Sequence, residues 1–248
     1  MKIGICSDIH AHRHDQQNQI KELTAYINSA SDTDLLICAG DISHRSKEVA
    51  AFLSSIRLFC PKCWVPGNHD IWVIDKEGLW DCAAYRYYYL FPRISRKTGW
   101  HYLPSNSLYL HEFQTEIMGT TGWFTGRGYS EWYDCEAGIR DEKLAYKMAV
   151  SLRKNLAQSK AEKRIIVSHH LPLPACLPQE KKEETAKVNR HMQTVIHAFA
   201  SRIVLLIHGH RHRRYGPEKK EGILSVAHPF GYPQQHSRAE DGFRILEI

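Results

Sequence analysis

The stretch Lys2-Ile3-Gly4-Ile5-Cys6-Ser7-Asp8-Ile9-His10 carries the pattern on which the fold turns: a short apolar run that stops at a carboxylate and an imidazole. The run is too short for a helix and is closed by polar residues, so it reads as a buried strand. Asp8 and His10 stand at i and i+2, and from extended chain they project the same way. The pattern recurs. Leu35 to Cys38, Cys63 to Val65, Arg164 to Val167, Ile203 to Ile207 and Ile223 to Val226 are further short apolar runs, each followed at once by polar residues or Gly.

Between the early runs lie helical patterns, Gln16 to Ala30 and Ser46 to Leu58, and later Arg140 to Gln158 and Val188 to Ala200. In the last of these Val188, Met192, Val195, Ile196 and Phe199 share one face. Strands alternating with helices predict βαβ units and a largely parallel sheet. Ser107 to Met118 and Phe243 to Ile248 instead read as strands without intervening helices, which predicts a second sheet layer. No internal repeat, low-complexity tract or Ser/Gly linker divides the chain, so residues 1–248 read as one domain.

Composition narrows the class without naming a function. The chain has 248 residues, 43% hydrophobic and 24% charged, which is the composition of a folded globular protein. The 33 Lys+Arg against 27 Asp+Glu give a net charge of +6, mild enough to favour anionic partners without demanding a nucleic acid. The longest purely aliphatic run, Ile203 to Ile207, is far short of the roughly 20 residues of a membrane-spanning helix, and no membrane association is expected. The N-terminus meets Asp8 and His10 before a signal-peptide core forms. Seven cysteines form an odd set, and Cys60-Pro61-Lys62-Cys63 has no second CxxC to answer it. They are expected to be reduced, structural thiols, which points to the cytoplasm. The unusual count is histidine: 16, more than the 15 glycines. Histidine binds metals and moves protons near neutral pH.

The residues that follow the strands are the informative ones, because open α/β sheets bind ligands beyond the carboxyl ends of their strands. In chain order they are Asp8-Ile9-His10, Gly40-Asp41, Gly67-Asn68-His69-Asp70, His169-His170 and Gly209-His210-Arg211-His212. Carboxylate, imidazole and amide carbonyl form the ligand set of a borderline-hard divalent ion, and thiolates are absent from these positions. Seven candidate ligands exceed the needs of one ion. They suit two ions that share a bridging carboxylate, as in phosphoryl displacement.

The ordered blocks DxH, GD, GNHD, H and GHxH resemble those of the calcineurin-like metallophosphoesterase superfamily. The resemblance runs from Asp8 to His212 and covers most of the chain. It implies an α/β fold: a four-layer α/β/β/α sandwich, two mixed β-sheets flanked by helices, with a dinuclear metal site at the strand ends. Carried over position by position, it implies that Asp8, His10 and His212 hold one metal, that Asn68, His169 and His210 hold the other, and that Asp41 bridges them. Mn²⁺ is the first expectation for the pair, with Fe, Zn, Co or Ni as alternatives. The implied reaction is hydrolysis of a phosphomonoester or phosphodiester by a metal-bridging hydroxide, with His69 as the general acid on the leaving oxygen. Asp70 is a candidate for supporting the ligands from outside their shell.

Two departures bear on substrate. In the protein Ser/Thr phosphatases of the superfamily the GD block continues GDxxDRG, whereas here it reads Gly40-Asp41-Ile42-Ser43-His44-Arg45-Ser46. His44 replaces the Asp and Ser46 the Gly, which argues against a protein phosphatase and leaves Arg45 as a candidate phosphate contact. His170, beside His169, is a candidate for the outer shell or the substrate. Many relatives carry Asn-Pro after the last sheet strand; this chain has His228-Pro229-Phe230-Gly231-Tyr232-Pro233, read as a rigid turn in preference to a pocket rim.

The aromatic-rich insert at about 71–108 holds Trp72, Trp80, Tyr85, Tyr87, Tyr88, Tyr89, Phe91, Trp100 and Tyr102 among Arg86, Arg93, Arg96 and Lys97. Aromatics interleaved with cations suit stacking of nucleobases and binding of phosphates. A cap packed on its own aromatics, or a contact between copies, explains the same composition. The expected partner is a small phosphorylated substrate, with a nucleotide among the candidates, and no obligatory protein partner is evident. The alternatives are a nucleotide phosphodiesterase or nuclease that uses the insert, and a non-catalytic scaffold on the same fold.

Overall fold

The computed structural model describes residues 1–73, 81–123, 141–176, 188–235 and 238–248. Its strands are β1 (Lys2–Cys6), β2 (Leu35–Cys38), β3 (Lys62–Trp64), β4 (His101–Tyr102), β5 (Leu108–Leu110), β6 (Thr115–Thr120), β7 (Lys163–Ser168), β8 (Ile203–His208), β9 (Tyr215–Lys220), β10 (Ile223–Ala227) and β11 (Arg244–Glu247). Its helices are α1 (Gln17–Ser29), α2 (Ser46–Ser55), α3 (Asn68–Ile71), α4 (Ala83–Tyr85), α5 (Phe91–Thr98), α6 (Asp141–Gln158) and α7 (Arg190–Ala198). A wider helical turn, Arg86–Leu90, joins α4 to α5.

Two mixed sheets result. The first has the order β11-β1-β2-β3-β4 and the second β5-β6-β7-β8-β10-β9. Strand alternation decides what each face meets. Ile3, Ile5, Leu35, Ile37 and Val65 from the first sheet and Ile117, Ile165, Val167, Leu205, Ile207 and Val226 from the second form one cluster between the sheets. The alternate residues point outward. Cys6, Leu36, Cys38 and Trp64 pack with Ile20, Leu23 and Ile27 of α1, Val49, Phe52 and Leu53 of α2, and Phe91 and Ile94 of α5. Met118, Ile166 and Leu206 pack with Leu152 and Leu156 of α6 and Met192, Val195 and Ile196 of α7. Three apolar layers separated by two sheets make the α/β/β/α sandwich, and strands buried on both faces explain the near-continuous apolar runs.

Parallel register sets the position of the site. Cys6 lies opposite Cys38, and Cys38 opposite Trp64. β1, β2 and β3 therefore finish level, and the loops after them release Asp8, Asp41 and Asn68 at one edge. In the second sheet Val167 lies opposite Ile207, so His169 and His210 also emerge together.

Several expectations change. The described residues after Asp81 in the aromatic-rich stretch pack on the domain: α5 lies against α2, β4 extends the first sheet, and Trp64 packs its ring against Phe91 (5.4 Å between centroids) and Tyr102 (5.5 Å). Phe91, Trp100 and Tyr102 are core, while Tyr88 and Tyr89 are exposed. Trp80 lies outside the described residues. Cys82 is disulfide-bonded, which corrects the expectation that every cysteine is reduced and removes part of the argument for the cytoplasm; Cys6, Cys38, Cys60, Cys63 and Cys176 are free. Among the described residues no helix is long and apolar enough to cross a membrane.

Candidate metal centre

The strand-end residues meet in one cluster. Ligand atoms of Asp8, His10, Asp41 and His212 lie within 4.8 Å of one another, and so do those of Asp41, His169 and His210. Asp41 belongs to both groups. His10 Nε2 and His212 Nε2 are 2.8 Å apart, and His212 Nε2 is 3.4 Å from Asp8 Oδ1. On the other side His169 Nε2 lies 3.2 Å from Asp41 Oδ2 and 3.1 Å from Asn68 Oδ1, and His210 Nδ1 lies 3.1 Å from the same amide oxygen. Two carboxylates, four imidazoles and an amide carbonyl so disposed fit a pair of divalent cations by donor chemistry.

The backbone is bent to make this possible. Asp8, His10, Asp41, His210 and His212 all have φ between 48 and 73°, in the left-handed region that non-glycine residues seldom occupy. Left-handed turns aim side chains at a common point that regular strands cannot reach, at a local conformational cost that the surrounding hydrogen bonds offset. Asp8 N donates to Gly40 O (2.8 Å), His10 N to Asp41 O (3.0 Å), and Gly209 N to His169 O (3.0 Å). At Gly67 a Cβ would lie 2.0 Å from Asp41 Oδ1 and 2.5 Å from Asp41 N. Only glycine allows the third loop to close on the second.

Asp70 is the buried brace of these loops. Its carboxylate accepts from Gly67 N (2.7 Å) and from Asp41 N, Ile42 N and Ser43 N (2.8 Å each). Burial and the Asp41 charge push its carboxyl up to about 7, and the backbone donors pull the other way. The second sheet leans on the first: His169 Nδ1 is 2.8 Å from Ala39 O, and His210 N donates to Asp8 Oδ1 (3.0 Å). Burial disfavours a charged His169, but the Asp41 and Asp8 carboxylates outweigh it and raise the imidazole to about 9. The cluster thus draws positive charge to its centre.

His69 differs from its neighbours. Its backbone N donates to Asp41 Oδ1 (2.8 Å), while its ring stands 4.8 Å from that of His10 and 4.5 Å from that of Trp72. Burial lowers its pKa. Arg45 begins α2, 39% exposed, with Nη1 3.4 Å from Glu48 Oε1. His170 is fully buried, its Nδ1 3.1 Å from Thr121 O and its ring 4.4 Å from that of His210. His170 thus lies against the candidate ligand His210.

Three residues at the site were given no role there by the sequence reading. His12 belonged to no block, yet its ring lies 4.0 Å from His44 and stacks 5.7 Å from His69. Tyr232 places its ring 4.8 Å from His10 and 4.5 Å from His212, and Gln235 Oε1 is 3.1 Å from His212 Nδ1. The segment 228–233 is therefore the rim of the site: Ser7 bridges Pro229, and Gly231 N donates to Asp8 O (2.9 Å). The only signal was its departure from Asn-Pro, since no spacing links it to the five blocks.

Known proteins supply context for this geometry. The chain is 34% identical over 71 residues to the [acyl-carrier-protein] phosphodiesterase PptH of Mycobacterium tuberculosis, a stretch spanning 28% of this chain and 22% of that protein. The crystal structure of the phosphopantetheinyl hydrolase PptH from the same organism superimposes with a TM-score of 0.73 at 19% identity, covering 94% of this chain and 90% of the other, a likeness of fold. Residues 1–214 match the family described as calcineurin-like phosphoesterase. With most of the chain matched and the five blocks gathered at one sheet edge, the chain belongs to the calcineurin-like phosphoesterase family.

Proposed function

We propose that the chain is a metal-dependent hydrolase of phosphate esters, acting on a phosphodiester in preference to a monoester. The observation that carries this is the convergence of Asp8, His10, Asp41, Asn68, His169, His210 and His212 around a shared Asp41, with His69 beside them in a further group with His10 and His12, whose ligand atoms also lie within 4.8 Å of one another. The diester preference rests on the partial likeness to PptH, named a phosphodiesterase. Asp8, His10 and His212 would hold one cation and Asn68, His169 and His210 the other, with Asp41 available to both. Two divalent ions there supply charge neutralisation and an activated water at neutral pH. Mn²⁺ suits the thiolate-free donors best, followed by Fe or Zn.

The chain's own groups divide the remaining work. His69, its backbone held by Asp41 Oδ1, presents its ring next to His10 and donates a proton to the departing oxygen. General acid catalysis of this kind contributes typically about 10²- to 10⁴-fold. Asp70 keeps Asp41 and Asn68 in place through their loops, and Arg45, at the start of α2 beyond the Asp41 loop, is the candidate contact for a phosphate oxygen. Tyr232 walls the site on the side of His10 and His212.

The test is hydrolysis of p-nitrophenyl phosphate and bis-p-nitrophenyl phosphate, with Mn²⁺ added and after chelation. Turnover of the diester that chelation abolishes and Mn²⁺ restores is the expected result. No turnover of either compound, or turnover indifferent to chelation, would refute the reading.

A further inference from the structure

Arg86 differs from the other cations of the aromatic stretch in being fully buried. It opens the wider helical turn between α4 and α5. Its guanidinium forks onto Asp81, with Nε 2.8 Å from Oδ1 and Nη2 2.7 Å from Oδ2. A buried charge is tolerated when it is paired and its donors are hydrogen-bonded, and the bidentate carboxylate meets the first condition. The third nitrogen meets the second. Nη1 donates to three backbone carbonyls: His44 O (2.6 Å), Trp72 O (2.8 Å) and, at greater length, Asp70 O (3.3 Å).

These carbonyls belong to the loops after β2 and β3, the loops that carry Asp41 and His69. His69 lies in α3, a single turn, too short to hold its own shape. The last carbonyls of a helix have no partner within it, and a cation there both satisfies them and matches the helix dipole. Arg86 fills that place for Asp70 O and for Trp72 O just beyond it. Trp72 in turn sets its ring 4.5 Å from that of His69. On the other loop His44 sets its ring 4.0 Å from that of His12, which stacks 5.7 Å from His69. The Nδ1 of His69 is buried without a hydrogen-bond partner, so packing against rings, rather than a bond at Nδ1, orients this imidazole. Both sides of that packing lead back to Arg86.

We propose that Arg86 is a positioning residue for the reaction: through the carbonyls of His44, Asp70 and Trp72 it fixes the rings that aim His69 at the departing oxygen. This rests on the phosphoesterase reading, with His69 as the proton donor. The planar fork is what the place requires. Nitrogens in fixed relation bind a carboxylate on one side and loop carbonyls on the other, and a lysine ammonium, a point charge on a flexible stem, cannot span both. A displacement of about 1 Å at the reacting groups costs about 10²-fold in rate.

The test is Arg86→Lys, which keeps a charge beside Asp81 and removes the fork. Circular dichroism and the metal content after Mn²⁺ loading are expected to match the unsubstituted protein. For bis-p-nitrophenyl phosphate kcat is expected to fall about tenfold with KM within about threefold, and for diphenyl phosphate, whose leaving group departs less readily, about 100-fold. In a His69→Ala background the same substitution is expected to change little, since the group it positions is gone. Unchanged rates, equal losses for the two esters, a further full loss in the His69→Ala background, a rise in KM alone, or metal lost with the rate would each overturn the assignment. Nuclear Overhauser contacts between the His69 and Trp72 rings read the placement without turnover, in the metal-free protein, and are expected to weaken in Arg86→Lys. Unchanged contacts would overturn the placement alone, whereas an unsubstituted protein that hydrolyses neither ester would refute the phosphoesterase reading. If Arg86→Lys does not fold, Asp81→Asn, which loosens the fork and keeps the guanidinium, carries the same readouts.

Discussion

The two sheets contribute unlike things to the metal centre. The first sheet supplies both carboxylates, the amide, His10 and His69, the proposed proton donor, from three loops that hydrogen-bond to each other through Asp8 N, His10 N and the Asp70 carboxylate. The second supplies His169, His210 and His212 from two loops, and these reach across to Ala39 O, Asn68 Oδ1 and Asp8 Oδ1. The negative charge is thus set in the first-sheet half, and imidazoles are added from a half whose own loops are joined by Gly209 N to His169 O and which also bonds to the first. The difference teaches that the geometry of this centre is as much a property of backbone bonds in the first-sheet loops as of the ligands.

The sharpest way to break the comparison is Asp41→Asn, because Asp41 is where the halves meet. Loss of bound metal and a fall in turnover of at least about a thousandfold are expected, read by elemental analysis and by the diester assay. Full metal content in this variant would mean that the other six ligands hold the ions without the carboxylate the two halves share. His69→Ala follows: turnover falls about 10²- to 10⁴-fold while metal content stays the same. If the metal left as well, His69 would be a ligand and the first sheet would have no separate proton donor.

Asp70→Asn tests whether the first-sheet half is braced in fact. The amide keeps the shape but offers one oxygen to four backbone donors. Metal affinity is expected to fall about 10- to 100-fold. Stability is expected to fall by about 1–3 kcal/mol, seen as a lower denaturant midpoint at unchanged slope. Unchanged affinity would assign the rigidity to packing. The smallest effect belongs to Arg45→Ala, where KM for the diester rises several-fold, kcat stays within about threefold, and stability changes by no more than about 0.5 kcal/mol. A loss in kcat as large as that of His69→Ala would move Arg45 from approach to chemistry.

Much of this was legible in the chain because it is local. Each ligand block follows its own strand within a few residues, and the alternation of short apolar runs with helical patterns announced both sheets before any contact was known. What failed was also local in cause. β4 has two residues, too few to show a period, and β9, Tyr-Gly-Pro-Glu-Lys-Lys, is a polar edge strand that reads as a charged loop. The helices between Ala83 and Thr98 lay inside a run read for its aromatics, whose larger members turned out to be core. Cys82 gave no sign of its disulfide, because spacing along the chain does not encode which sulfurs approach.

The sequence by itself determined the alternation of strands and helices, a second sheet layer, and the candidate ligand types and their order, since hydrophobic period and strand-end chemistry are written within about ten residues of each other; the four-layer sandwich followed from the resemblance those blocks carry. Only the tertiary structure decided that Asp41 stands between two groups of donors, that His170 is buried while His69 is not, and that His12 and Tyr232 belong beside them. These depend on parallel register, on left-handed turns at Asp8, His10, Asp41, His210 and His212, and on packing between segments up to two hundred residues apart. No short window of sequence holds that information, because it arises from side chains meeting across two sheets.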